Sequence, residues 1–250
     1  MKQLTLLFLL LPAIANAIVS TSNLHTSTPE EGLHGNVKAS LDIKSGNTES
    51  ESYTTSAIIS NHIANRTDYL ILESLYETTS GVKSDQHNLA HLRRIISWKP
   101  DLDVEVFTQA ESNPFTHLDY RVLIGAGQRY HLFKEAGKGV AIFGLGGFYQ
   151  QEKITSGLAD SGTDHLWRVN SYLVLSYQIN PSTTISSTTY FQPSIQDIND
   201  YRLLEDAAVE FMLSKSLALE VSYRLSRDSK PPLGVKEGDH QFITTLNYQF

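Results

Sequence analysis

From Leu33 to the C-terminus the chain repeats one pattern: apolar and polar residues alternate singly, and turn residues interrupt them at regular intervals. Val37, Ala39, Leu41 and Ile43 alternate with Lys38, Ser40, Asp42 and Lys44. Leu102, Val104 and Val106 alternate with Asp103, Glu105 and Phe107. Leu217, Leu219, Val221, Tyr223 and Leu225 alternate with Ala218, Glu220, Ser222, Arg224 and Ser226. Side chains of a β-strand point to opposite faces in turn, so each segment has one apolar and one charged face. A helix would scatter the same residues around its axis.

Twelve such segments are legible. The first six are Leu33–Lys44, Glu49–His62, Asp68–Glu77, Gln86–Trp98, Leu102–Ala110 and Leu118–Phe133. The second six are Val140–Lys153, Leu166–Ile179, Thr183–Pro193, Tyr201–Leu213, Leu217–Arg227 and Gln241–Phe250. Connections after even strands are short. Those after odd strands, Thr78–Asp85 among them, are mostly longer, apart from the tight Ser45-Gly46-Asn47-Thr48 turn. Short turns on one side and long loops on the other are the layout of an outer-membrane barrel. An even strand number puts both ends of the barrel on the short-turn, periplasmic side.

A soluble β-sandwich would also alternate. Three features favour the membrane. The strands are mostly ten residues or longer, whereas soluble strands run to about five or six and a tilted spanning strand needs about 9–11. Aromatic residues gather towards strand ends, including Tyr53, Tyr69, Trp98, Tyr120, Phe133, Phe148, Tyr149, Trp167, Tyr177, Tyr190, Phe191 and Tyr248, where amphipathic rings suit headgroups. The chain ends in an amphipathic strand carrying Phe242, Leu246, Tyr248 and a terminal Phe250, which resembles the signal read by the bacterial barrel-assembly machinery. The fold class expected is therefore all-β: a transmembrane antiparallel up-and-down β-barrel of 12 strands.

The N-terminus fits this. Lys2 precedes an apolar run from Leu4 to Ile14, and Ala15-Asn16-Ala17 follows with small residues at Ala15 and Ala17. This is the pattern of a secretory signal peptide, residues 1–17, cleaved after Ala17. Residues 18–32 are polar and read as a flexible periplasmic segment, leaving 33–250 as the barrel domain. Composition now becomes intelligible. Only 40% of residues are apolar, too few for a helical membrane bundle but enough for a lipid-facing band. The chain has no cysteine, which excludes disulfides and thiolate metal sites. Its net charge of −7 argues against nucleic acid. The expected partners are outer-membrane lipid and lipopolysaccharide, with the assembly machinery during biogenesis, for a monomer located in the outer membrane.

Ser45-Gly46-Asn47-Thr48, Arg121-Val122-Leu123-Ile124-Gly125-Ala126-Gly127, and Gly144-Leu145-Gly146-Gly147 followed by Glu152 together resemble a family of salt-induced outer-membrane proteins of unknown function. The resemblance runs from Gly35 to Glu152 and loosely to Tyr248-Gln249-Phe250. It implies an exported outer-membrane barrel and brings no catalytic residue, cofactor or metal.

Twelve strands at about 4.7 Å spacing and 40° tilt give a backbone diameter of about 24 Å. Alternation assigns Lys38, Asp42, Asp103, Glu105, Arg121, Arg129, Arg168, Glu210, Glu220 and Arg224 to the lumen. Five basic and five acidic groups allow two readings: a polar path for small solutes, or a web of ion pairs that closes the interior. Gly125 and Gly127 share the face of Arg121 and Arg129 and would make room for their long side chains.

The function expected is that of a non-catalytic outer-membrane barrel, either a narrow pore for small solutes or an envelope-stress and maintenance protein; a cell-surface lipid or lipopolysaccharide hydrolase is a second function class, and a surface ligand-binding barrel with a plugged lumen a third. Hydrolysis needs a nucleophile and base within reach, or paired carboxylates. No G-x-S-x-G or H-E-x-x-H is present. His87 and His91 lie roughly 13 Å apart on an extended strand, too far to share an ion. His117, His165 and His240 adjoin the loops and could form a surface site with Asp119, Asp164 or Asp239.

Overall fold

The computed structural model describes residues 31–44, 50–155 and 162–250. The signal peptide with Ala15 and Ala17, and nearly all of the segment after it, lie outside the described residues. The strands are β1 (Gly32–Lys44), β2 (Ser50–Ile63), β3 (Arg66–Thr79), β4 (Val82–Lys99), β5 (Leu102–Asn113) and β6 (Leu118–Glu135). They continue as β7 (Gly139–Ile154), β8 (Gly162–Asn180), β9 (Thr183–Pro193), β10 (Tyr201–Met212), β11 (Leu217–Asp228) and β12 (Gly238–Gln249). Each pairs antiparallel with its sequence neighbours, and β1 pairs with β12, so the sheet is a closed up-and-down barrel of 12 strands. The alternation specifies this architecture because a closed antiparallel ring gives every strand one enclosed and one outer face.

Burial follows the alternation. On β5, Asp103, Glu105, Phe107, Gln109 and Glu111 are buried, while Val106 between them is exposed. Leu72, Leu92, Ile124, Leu145, Leu175, Val221 and Leu246 are exposed on the outer face, as are Phe242, Tyr248 and Phe250 of the terminal segment. A soluble protein does the reverse. Glu205 departs from the pattern: it faces outward, and its carboxylate accepts hydrogen bonds from the hydroxyls of Ser187, at 2.7 Å, and Thr189.

Two expectations change. The 78–85 loop does not exist as such. β3 and β4 extend to Thr79 and Val82 around a two-residue hairpin, Ser80-Gly81. Both residues have positive φ, 52° and 73°, as a type I′ turn requires. A bulge between Glu77 and Thr78 and the polar residues flanking the turn hide this from alternation. Tyr69, Phe148 and Tyr190 also leave the expected outer girdle. They sit at inward positions and are buried, Phe148 at 1% and Tyr190 at 0% exposure. Their parity on the strand outweighs the preference of an aromatic ring for the headgroup region.

The seam between β1 and β12 is short. Register pairing runs only from Asn36↔Gln249 to Ala39↔Leu246, extended by reciprocal backbone bonds between Gly35 and Phe250 of 2.9 and 3.0 Å. The Phe250 ring lies across Gly35, where a Cβ would meet it. The start of β1 and the end of β12 therefore meet at one end of the barrel, the turn end. The other, the loop end, carries the connections 194–200 and 229–237.

Gly81 tests the hairpin. A Cβ there meets nothing within 4 Å, so Gly81→Val should cost only the left-handed backbone penalty, about 1–2 kcal/mol. Urea unfolding in detergent, followed by tryptophan fluorescence, should show the lower midpoint, with Gly81→Asn losing less.

Candidate functional site: the barrel interior

The interior is built in two unlike halves. Across β4–β10 it is filled. The wall of β6 and β7 presents four inward glycines, Gly125, Gly127, Gly144 and Gly146; large side chains occupy the space over Gly125 and Gly144, and the backbones of β6 and β7 approach closely at Gly127 and Gly146. The Tyr172 ring covers Gly144, and Phe107 and Phe148 close over Gly125. Glu105 Oε1 lies 3.4 Å from where a Gly127 Cβ would stand. Two strands of bare backbone thus let Tyr172 of β8 donate to Glu105 Oε1 of β5 at 2.8 Å. The same carboxylate lies 3.7 Å from Arg93 and 4.0 Å from Arg129. The Arg93 guanidinium stands 5.5 Å from the Phe107 ring centre and 6.0 Å from that of Tyr172, within cation–π range. Tyr190 packs on Tyr172 at 5.0 Å. An apolar cluster that includes Leu123, Ile142, Val174 and Leu204 completes this half.

Towards the loop end a belt of ion pairs circles the lumen. Arg121 bonds Glu111 and, at 2.8 Å, Glu152. Arg202 of β10 reaches across to Glu152 of β7 at 2.9 Å and holds Asp228 at 2.9 Å. Arg168 bonds Asp200 at 2.6 Å. Arg224 of β11 pairs with Asp206 at 3.2 Å and spans to Glu73 of β3 at 3.9 Å. His87 stands between Glu73 and Glu111, 3.8 and 3.7 Å away, with neither ring nitrogen hydrogen-bonded.

The other half, lined by β1, β2, β11 and β12, carries short polar side chains, Ser40, Ser52, Thr54, Ser56, Ser222 and Thr245, while β3 beside it presents the buried Tyr69 and Ile71. Exposure separates the halves. Lys38 and Arg224 have side chains 15% and 22% exposed, whereas Arg93 and Arg129 are at 1% and 2%. Lys38 bonds Glu220 at 2.7 Å, and Asn247 donates to Glu210 at 2.7 Å.

At the loop end a cavity of about 170 Å³ is bounded by His87, Glu111, Arg121, Glu152, Asp164, Arg202 and Asp228 and roofed by Pro231 and Pro232. At about 30 Å³ per water it has room for several waters, and His87 lines it. The roof is tied down. Lys230 bonds Asp197 at 2.6 Å, holding that exposed carboxyl below its usual range. Ser229 Oγ donates to the Asn199 carbonyl at 2.8 Å.

Nine of the ten residues assigned to the lumen by alternation, Lys38, Asp103, Glu105, Arg121, Arg129, Arg168, Glu210, Glu220 and Arg224, occupy inward positions. Asp42 pairs with Ser52 in register, and its side chain lies outside those described. The structure brings them together in separate groups: Glu105 with Arg129, Lys38 with Glu220, and Asp103 with His131 at 2.8 Å. Alternation alone did not single out Arg93, Glu111, Glu152, Arg202, Asp206 or Asp228. Gly125 and Gly127 make room for Phe107, Phe148 and Glu105, whereas Arg121 and Arg129 lie beyond them. The loop histidines do not converge. His165 and His240 face outward, each bonded to a tyrosine hydroxyl, Tyr149 at 2.8 Å and Tyr223 at 2.7 Å. Their neighbours Asp164 and Asp239 occupy inward positions. His117 caps the Pro114–Thr116 turn, and Asp119 is held by Lys153 and Thr155. Among the described residues, no three His, Asp or Glu side chains are grouped to hold a metal ion.

Residues 37–250 match the family described as "Protein of unknown function, DUF481". No curated protein matches the sequence. The fold resembles the translocator domain of the autotransporter NalP from Neisseria meningitidis, at TM-score 0.54 and 14% identity over 90% of this chain and 91% of that one. It also resembles the NanC porin, at TM-score 0.55 and 11% identity over 88% of this chain and 100% of that one. At such identities the likeness is one of fold: an outer-membrane β-barrel.

The glycine wall is open to test. A methyl at Gly146 would meet the Ala126 carbonyl and lie 2.6 Å from Gly127 Cα, both backbone, whereas one at Gly162 meets nothing. Gly146→Ala should therefore destabilise by roughly 1–3 kcal/mol and Gly162→Ala negligibly, as read from urea midpoints.

Proposed function

The chain belongs to the DUF481 family, and we propose that this barrel is a non-catalytic outer-membrane protein, a narrow monomeric pore for small polar solutes. One observation carries the reading: the lumen is filled on one side only. Glycines on β6 and β7 draw the aromatic rings and buried arginines to one wall. Short hydroxyl side chains on β1, β2, β11 and β12 leave the opposite wall polar, with Lys38 and Arg224 partly exposed. A plug that served stability alone would place large side chains on both walls. The outer apolar band and the fold support an outer-membrane location, where lipid and lipopolysaccharide surround the barrel. The terminal Phe250, exposed on the outer face beside the seam, suits a signal for the assembly machinery.

The test is single-channel recording from the purified barrel in planar bilayers. Discrete steps of low conductance are expected. Ser56→Trp, which puts a ring into the open side, should reduce them sharply, while the variant keeps the folded, heat-modifiable mobility of the parent on gels. Wild-type barrels that insert without producing steps would reject the pore.

A further inference from the structure

We propose that the passage selects cations over anions, and that unpaired carboxylates at its two mouths set this preference. The inference rests on the pore reading above and deepens it. Among the described side chains, the inward Lys38, Arg93, Arg121, Arg129, Arg168, Arg202 and Arg224 each have a carboxylate within 4.0 Å, and Lys134, in register with inward Val140 at the turn end, is exposed without an ion pair. The converse fails. Glu77, Asp85, Asp164 and Glu210 occupy inward positions and form no ion pair. Glu77 accepts a hydrogen bond from Ser84 at 3.0 Å, Asp85 from the Gln86 backbone at 2.7 Å, and Glu210 from Asn247 at 2.7 Å. These neutral donors leave the negative charge in place.

Their positions matter as much as their number. Glu77 and Asp85 face each other across β3 and β4 next to the Ser80-Gly81 turn, and Asp164 borders the cavity under Pro231 and Pro232. All three stand at the loop end. Glu210 lies two residues before the end of the β10 ladder at the turn end, beside Lys38 and Glu220. At the loop end a solute therefore meets three of these carboxylates first, and at the turn end Glu210 together with Lys134. Carboxylates at a constriction select cations, and a water-filled cleft with low-dielectric walls strengthens their field. His87 borders the same cavity, 3.8 Å from Glu73 and 3.7 Å from Glu111.

The measurement is the reversal potential of the purified full chain in planar bilayers under a potassium chloride gradient. Potassium should permeate over chloride by a factor on the order of ten at low salt. The ratio should fall towards one near 1 M salt, where the screening length is about 3 Å. The isosteric pair Glu210→Gln and Asp164→Asn should lower the low-salt ratio severalfold while the steps persist. Steps that favour chloride, or a ratio of one at low salt, would overturn the proposal and leave the pore intact. A cation preference that the double variant does not change would overturn the assignment to the mouths. Absence of steps in the wild type would instead remove the pore, and this inference with it. The wild-type ratio does not depend on whether the variants fold.

Discussion

The constraint on which the structure depends is that a backbone crossing hydrocarbon has no water to bond, so each strand needs two partners and the ring must close. Eleven of the pairings are hairpin neighbours and form easily. The twelfth joins β1 to β12, and it is the shortest. Its four register pairs are reinforced on both faces. Outside, Phe250 lies across Gly35. Inside, Asn36 bonds Asn247, Ser40 bonds Thr245 at 3.1 Å and Lys38 crosses to Glu220 of β11. A slip of one residue at this seam would turn every polar side chain of β1 to lipid. The side-chain bonds therefore fix register as well as contributing contacts.

Closure also sets how the interior is stabilised. A barrel has no large apolar core, so inward groups must satisfy one another. Buried charge is costly unless it is paired and hydrogen-bonded. Here one carboxylate, Glu105, serves Arg93, Arg129 and Tyr172, and ring faces cover Arg93. This economy is possible because Gly127, Gly144 and Gly146 remove the side chains that would stand between β5 and β8. The glycine wall and the aromatic plug are thus one feature, and the open wall opposite follows from it.

Much of the architecture was legible because strand parity is a strict rule. It located the strands, the faces and Lys38, Arg121 and Glu220 on the inside. The limits have physical reasons. β4 carries charge on both faces: Arg93 is buried in the plug, while its neighbour Arg94 lies outside and bonds Asp68 at 2.6 Å. Residue type cannot distinguish the two, and only the register with β3 and β5 does. Phe148 looks like a lipid-facing residue until Gly125 opposite it is seen to need filling. The partners of Arg202 lie on β7 and β11, and a contact across a lumen leaves no signature in local sequence.

The same parity governs which chemistry a barrel can assemble. Residues adjacent in sequence point to opposite sides, so His165 with Asp164, or His240 with Asp239, is divided by the wall and cannot act as a pair. A convergent group must be drawn from alternate positions on neighbouring strands, as Glu111, Arg121 and Glu152 are on β5, β6 and β7. At those positions this chain has placed ion pairs, glycines and hydroxyls. Glycine and hydroxyl positions shape a space, and ion pairs hold its walls. Carboxylates without an ion pair stand at the rims, where in the pore proposed above they would act on passing charge through its potential. The interior is therefore organised around shape and electrostatic potential, the two properties by which a narrow pore discriminates among solutes.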